Sequence, residues 1–318
     1  MADCHDLFQT FHDNVKLPPS KKEDLKEARD ALRKRVKKHF KEVLKSNVPK
    51  FWIQGSYAMA TIANPLYGEY DIDDGLYLQN LDANKDKWPS TNTVHDWVCK
   101  AVEGHTDQYP VDKRTCVRVI YAGQYHVDLP IYGENNSLYY LAEKGKNGWN
   151  ESNPKALTEW FKNEVGAKGE QLRRVVRYLK AWADYKENKI KMASGLFLTV
   201  LAGYHYESYE RDDSSLGATV KNMLGSVSSN FVVNNPVDPK EDLAKHLTEA
   251  QKENFKGLLS NLLVSAGKAL KEDDKKKASQ IWQKELGERF PIYDDSGKKK
   301  DFLVTSGPAL LKNDARSA

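Results

Sequence analysis

The sequence has few cysteines and no long apolar run, and each absence narrows the classes of protein to consider. Its 3 cysteines, Cys4, Cys99 and Cys116, stand at unrelated spacings, which argues against a structural zinc site and fits a reducing compartment. No apolar stretch approaches the roughly 18 residues that a membrane-spanning helix needs. The first residues also lack the pattern of a signal peptide. These absences predict a soluble protein of the cytoplasm with no membrane partner.

A strong excess of one charge is also missing. Lys and Arg number 49 against 45 Asp and Glu, which leaves a net charge of +4 over 318 residues. This balance does not indicate a nucleic-acid-binding protein, although it slightly favours anionic ligands. The length allows one large domain or two of ordinary size. Composition alone therefore leaves the function open.

Hydrophobic periodicity divides the chain into two parts. In the first part, a long amphipathic helix is predicted to begin at Ser20, where Glu23 could complete a capping box. Its apolar positions recur at helical spacing: Leu25, Leu32, Val36, Phe40, Val43 and Leu44. Strands are predicted in KFWIQ and YDIDDGLYLQN, and TCVRVIYAGQYHVDLPIYG predicts a hairpin that turns at Ala122–Gly123. The segment NNSLYYLAEKGKNGWNESNP is polar and rich in turn-forming residues, and beyond it the strand pattern largely fades.

The second part is predominantly helical. From about Glu170 an apolar stripe recurs at helical spacing, in Leu172, Val175, Val176, Leu179, Trp182 and Ala183. The segment SGLFLTVLAGYHY predicts a buried helix, and two more helices are predicted near 243–270 and 275–288. The pattern as a whole predicts strands and helices first and helices afterwards.

The predicted strand YDIDDGLYL carries three acids where a hydrophobic pattern is expected. Side chains two apart on a strand share a face, so Asp71 and Asp73 should project together while Ile72 points into the core. Two carboxylates held so close repel each other unless one is protonated or a cation lies between them. Mg²⁺ prefers carboxylate oxygens and is the natural occupant. The alternative is a strand end whose acids simply face water, and Asp74 should point to the opposite face.

A third acid favours the metal site. Asp128 lies inside the strongly patterned strand YHVDL, between Val127 and Leu129. Burial of a carboxylate there is costly unless it has a charged partner. If the hairpin neighbours the strand of Asp71 and Asp73, three carboxylates converge on one place.

The pair Gly55–Ser56 adds a phosphate-binding element. A glycine allows close approach of the backbone to a ligand, and a short helix after it would offer unpaired N–H groups to a phosphate. The hydroxyl of Ser56 is a further donor. A turn of this kind beside a metal-holding strand is what nucleotidyl transfer requires.

The order Gly-Ser, Asp-x-Asp and a distant third Asp resembles the polymerase-β-like nucleotidyltransferases. Within that superfamily the chain is similar to the bacterial cGAS/DncV-like nucleotidyltransferases. The resemblance rests on these segments: QGSYAMAT, YDIDDGLYL, YHVDLPIY, RRVVRYLKAWADY, KMASGLFLTVLA, NPVDPKEDL and ELGERFP. They follow in order from the N-terminal helix to about Pro291. The Gly-Ser and Asp-x-Asp core is shared by many enzymes, so DIDDG with RYLKAW and SGL supplies the specificity.

The resemblance implies an α+β, two-lobed fold. Residues 1–165 would form the catalytic core, a mixed sheet with the long N-terminal helix, and residues 166–318 a helical lobe that closes the nucleotide cleft. Asp71, Asp73 and Asp128 would be the catalytic residues and would hold two Mg²⁺ ions, or Mn²⁺.

The resemblance also implies a set of nucleotide-binding residues: Gln54, Gly55, Ser56, Lys180, Ser194 and Asp238. Alternatives stay open for several of them. Gln54 could instead satisfy a neighbouring backbone group, Ser194 could cap a helix, and Asp238 could serve a turn between prolines. Lys180 could belong to an ordinary solvated helix face with Arg173 and Arg177.

The function that the resemblance implies is synthesis of a cyclic oligonucleotide, with a cyclic dinucleotide favoured, as a second messenger in bacterial anti-phage signalling (CBASS). ATP and GTP would be the substrates, a separate effector protein would sense the product, and no nucleic-acid partner is expected. One alternative is a transferase with a linear product, such as an oligoadenylate, a tRNA end or a modified small molecule. Another is a degenerate, non-catalytic binding module, against which the presence of all three aspartates argues.

Overall fold

The computed structural model describes residues 1–66, 68–145, 148–187 and 193–294. The α-helices are α1 (His5–Val15), α2 (Pro19–Glu42), α3 (Gly55–Ala58), α4 (Thr91–Val102), α5 (Pro154–Lys168), α6 (Glu170–Glu187), α7 (Gly195–His205), α8 (Asp212–Ser229), α9 (Glu249–Lys271) and α10 (Lys275–Leu286). The strands are β1 (Lys50–Gln54), β2 (Tyr70–Tyr77), β3 (Val111–Asp112), β4 (Val117–Tyr121), β5 (Tyr125–Leu129), β6 (Ile131–Asn135), β7 (Leu138–Glu143), β8 (Gly148–Glu151), β9 (Asn234–Asn235) and β10 (Asp238–Asp242). These elements are of the predicted α+β class, and none of the helices in the described ranges has the length and hydropathy of a membrane-spanning helix.

The chain packs as two compact units. The sheet unit contains residues 17–60, 68–145 and 148–159, and the helical unit contains residues 1–16, 61–66, 160–187 and 193–294. A mixed-sheet part with a long helix and a helical part were both predicted. The assignment of domains to 1–165 and 166–318 stays a prediction. In the structure the first 16 residues and residues 61–66 belong to the helical unit. The predicted division at residue 165 placed both segments in the catalytic core.

The sheet unit is built on an eight-stranded mixed sheet in which β2 is central. The order is β3-β4-β5-β2-β6-β7-β8, and β1 pairs with β2 in addition. β2 runs parallel to both β5 and β6 and antiparallel to β1. Pro130 separates β5 from β6, and its carbonyl accepts a hydrogen bond from the amide of Leu76 at 2.8 Å. The two strands therefore continue along β2 although Pro130 has no N–H to donate.

The long helix α2 covers the face of the sheet that is opposite to Asp71 and Asp73. Its Arg33 donates from Nε to Asp74 Oδ2 at 2.7 Å, which places Asp74 on that face as predicted. The predicted capping box is wrong, because the helix begins at Pro19 with no side-chain cap and Pro18 at the N-cap. The predicted apolar pattern also extended too far, since the helix ends at Glu42 and Val43 is 66% exposed.

The helical unit has an aromatic core. The ring of Phe8 lies 4.9 Å from those of Trp282 and Phe290 and 5.2 Å from that of Tyr178, measured between centroids. The predicted stripe of α6 is buried throughout, which follows from its 3.6-residue period. The helices predicted near 243–270 and 275–288 correspond to α9 and α10. The alternative in which Arg177 lies on a solvated basic face is wrong. Arg177 is buried, and its Nη1 lies 2.6 Å from Nε2 of His12.

Several elements were not predicted. The segment interpreted as polar and turn-rich forms β7, which pairs with β6, and β8, which pairs with β7. The strand β7 has two adjacent half-buried tyrosines, Tyr139 and Tyr140, and its burial does not alternate, so it lacks the two-residue period by which strands are predicted. Helices α1, α4, α5 and α8 were also missed. Two of these, α1 and α8, pack against each other within the helical unit, and tertiary packing of this kind supplies most of the stability of a helix in a protein.

Candidate active site

Two parallel strands bring four polar side chains together on one face of the sheet. In the register of β2 and β5, Asp71 lies opposite His126 and Asp73 lies opposite Asp128. Residues opposite each other in a sheet share a face, so the four side chains form a square of two acids on β2 and a histidine and an acid on β5. The predicted convergence of Asp71, Asp73 and Asp128 is therefore present in the structure.

The same face is extended sideways by two more strands. Gln54 of β1 lies opposite Asp73, and Arg118 of β4 lies opposite Asp128. A row of side chains consequently crosses four strands in the order Gln54, Asp73, Asp128 and Arg118. The row carries two negative charges and one positive charge, and Asp71 adds a third negative charge beside it.

The electrostatics of this face are those of a crowded acid cluster. Burial raises the pKa of Asp73 well above its ordinary value, and the negative charges of Asp71 and Asp128 raise it further. Arg118 opposes this effect on the same pKa. Its Nε and Nη2 donate to Oδ1 and Oδ2 of Asp128, each at 2.7 Å. Without a cation the cluster is thus only partly neutralised.

A candidate metal site lies within the cluster, and it includes a residue that the sequence analysis missed. Among the described residues, one ligand atom each from Asp71, His126 and Asp128 lies within 4.8 Å of the others. Asp71 is half-buried, whereas His126 and Asp128 are buried. His126 stands two residues before Asp128 on the same strand, so the alternation that singled out Asp128 could have identified it as well.

Gly55 begins the short helix α3 beside Asp73. Its φ is +66°, and a Cβ atom at this position would lie 2.2 Å from Oδ2 of Asp73. Only glycine therefore fits here, both for the backbone conformation and for the space. Ser56 follows on the first turn of α3 and is half-buried. The predicted short helix after the Gly-Ser pair is present.

Gln54 is buried and bound to a tyrosine. Its Nε2 donates to the hydroxyl oxygen of Tyr132 at 3.0 Å, and its Oε1 has no hydrogen-bond partner. The alternative, in which Gln54 bonds a neighbouring backbone group, is not observed, because its partner is a side chain. Burial raises the pKa of Tyr132, which keeps its hydroxyl protonated.

The helical unit brings two of the predicted residues together. Lys180 of α6 donates from Nζ to Thr61 Oγ1 at 3.0 Å. Its Nζ also lies 3.7 Å from where a Cβ of Gly195 would stand, at the start of α7. Ser194 is the N-cap of α7 and accepts a hydrogen bond from the amide of Phe197 at 3.2 Å, so it does cap a helix. Lys180 and Ser194 are therefore neighbours.

Asp238 belongs to the helical unit and follows Ser194 by 44 residues in the sequence. It is exposed at the start of β10, in a two-stranded hairpin with β9, where its Oδ1 accepts from the amide of Lys240 at 3.3 Å. This contact is typical of an aspartate in a turn.

Comparison with known proteins identifies the segment that carries the cluster. Residues 49–132 match the family described as cyclic GMP-AMP synthase DncV-like, nucleotidyltransferase domain. This range includes Gly55, Ser56, Asp71, Asp73, His126 and Asp128. It ends at Tyr132, the partner of Gln54.

Curated relatives match over more of the chain. A cyclic GMP-AMP synthase of Escherichia albertii is 28% identical over 260 residues, which cover 74% of this chain and 56% of the relative. A c-di-GMP synthase of Roseivirga ehrenbergii is 27% identical, with 60% of this chain and 59% of the relative covered. A cyclic AMP-AMP-AMP synthase of Acinetobacter is 25% identical, with 84% and 80% covered. The chain spans about half the length of the first curated relatives it matches, with 56%, 42% and 53% covered.

Solved structures extend the likeness of fold. The Vibrio cholerae DncV cyclic AMP-GMP synthase has a TM-score of 0.77 and 20% identity, with 91% of this chain and 97% of that chain covered. Another structure of DncV holds the linear intermediate 5′ pppA(3′,5′)pG and has a TM-score of 0.74 with 22% identity. At these identities the likeness shows the two-lobed nucleotidyltransferase fold. The family match over residues 49–132, the curated relatives and the solved structures agree that the chain is similar to the bacterial cGAS/DncV-like nucleotidyltransferases.

Proposed function

We propose that the chain is a metal-dependent nucleotidyltransferase that joins NTPs into a cyclic oligonucleotide, with a cyclic dinucleotide as the favoured product. The observation that carries the proposal is the square of side chains on β2 and β5, with Gly55 packed against Asp73. The relatives are synthases of three different cyclic products, so the shared activity is cyclisation and the bases differ. ATP and GTP are the substrates that we favour.

The residues of the cluster fit divalent cations. Three carboxylates converge, the pKa of Asp73 is raised by burial and by its acidic neighbours, and a buried histidine nitrogen lacks a hydrogen-bond partner. Asp71, Asp73 and Asp128 would hold the ions, for which we propose Mg²⁺ or Mn²⁺ and two per site. When bound, such ions lower the pKa of an attacking ribose hydroxyl and stabilise the charge on the α-phosphate and the departing pyrophosphate.

The remaining predicted residues would bind and orient the triphosphate. The amides at the start of α3 and the hydroxyl of Ser56 are donors that suit phosphate oxygens. Lys180 would add a positive charge, and Ser194 a hydroxyl at the start of α7. Positioning and neutralisation account for most of the catalysis in phosphoryl transfer, so these roles are sufficient. Gln54 and Asp238 would contact the donor nucleotide in the same proposal.

Cyclisation would follow from two transfers at one site. The first joins two nucleotides and leaves a linear product with a 5′-triphosphate, the kind of intermediate with which DncV has been solved. If this intermediate turns around, its triphosphate occupies the donor position and the remaining hydroxyl closes the ring. A separate effector protein would sense the cyclic product in anti-phage signalling in the cytoplasm.

The test is an incubation of the purified protein with all four NTPs and Mg²⁺ or Mn²⁺, followed by mass spectrometry. We expect a main product without a terminal phosphate, resistant to alkaline phosphatase, with one pyrophosphate released for each nucleotide incorporated. A variant with Asp71→Asn and Asp73→Asn serves as the matched negative control. A product that phosphatase shifts completely, or a ladder of lengths, would replace the cyclase proposal with the linear-product alternative.

A further inference from the structure

One side chain of the acid cluster has an orientation that the three-aspartate site does not explain. His126 is only 5% exposed, and its Nε2 has no hydrogen-bond partner. This nitrogen lies 3.6 Å from Oδ2 of Asp71 and 3.8 Å from Oδ2 of Asp128. Both distances exceed those of an ordinary hydrogen bond, which makes a direct N–H donation to either carboxylate a poor description of the contact.

The other ring nitrogen of His126 is firmly held. Nδ1 lies 2.9 Å from Oε2 of Glu69, a hydrogen-bond distance. A carboxylate can only accept, so the proton of the neutral ring is on Nδ1 and the lone pair is on Nε2. In that tautomer the lone pair faces the oxygens of Asp71 and Asp128, an arrangement that is repulsive unless a proton or a metal cation lies among the three atoms. A carboxylate that holds the far nitrogen of a metal-binding histidine is the usual surrounding of such a ligand.

We propose that His126 is a direct ligand, through Nε2, of one divalent cation that Asp71 and Asp128 also bind, and that this nitrogen biases the site toward Mn²⁺ over Mg²⁺. The proposal rests on the proposed function for the existence of a metal in this cluster. Mg²⁺ strongly prefers oxygen ligands, whereas imidazole suits first-row transition metals. Mn²⁺ binds most weakly within that series, but it accepts a nitrogen ligand more readily than Mg²⁺ does. Glu69 is the positioning residue that fixes the ring.

Arg118 does not exclude this arrangement. It occupies one lone pair on each oxygen of Asp128, with both distances at 2.7 Å. Each carboxylate oxygen has a second lone pair, so Asp128 can accept from Arg118 and bind a cation at once. The pair with Arg118 instead orients the carboxylate beside His126.

The experiment measures Mn²⁺ binding to the full chain without nucleotide. Electron spin echo or ENDOR spectra of bound Mn²⁺ should contain a coupling to a directly bound ¹⁴N, and the coupling should disappear in His126→Gln. The matched control is His105→Gln, since His105 also belongs to the sheet unit but binds the hydroxyl of Tyr121 at 2.9 Å. In Glu69→Gln the Mn²⁺ affinity should fall by about 10-fold or more, as is usual when the residue that holds the other nitrogen of a histidine ligand is replaced. The Mg²⁺ affinity of His126→Gln and of Glu69→Gln should change much less than their Mn²⁺ affinity.

The outcomes separate this proposal from the proposed function. Bound Mn²⁺ without a nitrogen coupling, or no binding of Mn²⁺ to the wild type, would overturn the ligand assignment. Product formation from NTPs alongside that result would leave the nucleotidyltransferase intact with oxygen ligands only. A nitrogen coupling in a protein that makes no product would instead support His126 as a ligand and remove the proposed function. If His126→Gln does not fold, ¹⁵N-histidine labelling of the wild type decides whether the coupled nucleus is imidazole.

Discussion

Arg118 and Asp128 face each other across the β4–β5 hairpin and form a two-pronged ion pair, with both N···O distances at 2.7 Å. The side chain of Asp128 is only 3% exposed, and that of Arg118 is 12% exposed. A buried carboxylate beside two other acids is costly without a cation, so Arg118 is what makes the cluster tolerable in the absence of metal.

We expect Arg118→Gln to destabilise the metal-free protein by about 3 kcal/mol, since removal of one partner leaves an uncompensated buried charge. A bound cation would replace part of the lost charge, so Mn²⁺ should raise the melting temperature of this variant more than that of the wild type. Thermal unfolding with and without Mn²⁺ measures both effects. Arg114→Gln is the control, because Arg114 pairs with Glu143 on the surface. Equal stabilities of Arg118→Gln and wild type would contradict the role given to the pair.

The double substitution of Asp71 and Asp73 by alanine should abolish product formation and leave the fold intact. The lost stabilisation of transition-state charge is several kcal/mol, which corresponds to a loss of about 10³-fold in rate or more. The metal-free variant should melt slightly higher than the wild type, because two mutually repelling charges are gone. Pyrophosphate release and thermal unfolding test the two halves of this expectation. Turnover near the wild-type rate would show that the metal is held elsewhere.

Gly55→Ala tests whether the contact between α3 and Asp73 matters for activity. Its control is Gly104→Ala, because Gly104 has the same φ of +66° but nothing within 4 Å of the added Cβ. Both variants should lose roughly 1 kcal/mol of stability from the left-handed backbone conformation. Only Gly55→Ala should also push the Asp73 carboxylate aside and lower kcat. If the two variants retained equal activity, the close packing of Gly55 on Asp73 would have no part in catalysis.

The sequence predicted the acids of the cluster because they break a strand pattern, and a pattern is local. It could not predict Arg118, because that partner depends on the register of a hairpin. With a turn of only Ala122–Gly123, Val117 would lie opposite Asp128. The observed loop also includes Gln124, whose φ is +60°, and the shift by one residue places Arg118 there instead. A slip of one residue in the pairing exchanges the two faces of a strand. One residue in the length of the loop therefore decides which side chain lies opposite Asp128.

The two-unit arrangement was harder to foresee than the strands. Helix α1 is amphipathic but short, and its Phe8 and Phe11 are buried only because Tyr178 and Phe290 lie beside them. Those partners are more than 160 residues away along the chain. Local periodicity contains no information on such contacts, whereas it sufficed for α6, whose own stripe of six apolar residues is buried.

We expect Lys180→Ala to raise KM for NTPs by about 10-fold or more, as for the loss of a hydrogen bond to a charged group. The change in kcat should be smaller, because an ammonium group acts on a triphosphate as a point charge in the ground state as well as in the transition state. Initial rates over a range of NTP concentrations give both constants. Lys276→Ala, which removes an exposed lysine of the same unit, is the control for net charge. A fall in kcat alone would exclude Lys180 from the donor site.

The stability of the helical unit should fall in mild acid because of His12. Burial and the nearby charge of Arg177, whose Nη1 lies 2.6 Å from His12 Nε2, lower the pKa of His12 to about 4. Between pH 6.5 and 4 the unfolded chain therefore binds a proton that the folded chain does not, so stability decreases as the pH falls through this range. A shift of this size corresponds to a loss of about 3 kcal/mol by pH 4, and little of it is present at pH 7. Chemical unfolding of the wild type and of His12→Gln at a series of pH values isolates this contribution from that of other histidines. The difference between the two proteins should be constant above pH 7 and should change in favour of the variant below pH 6.5. A difference that does not vary with pH would mean that His12 is protonated equally in the folded and unfolded chains.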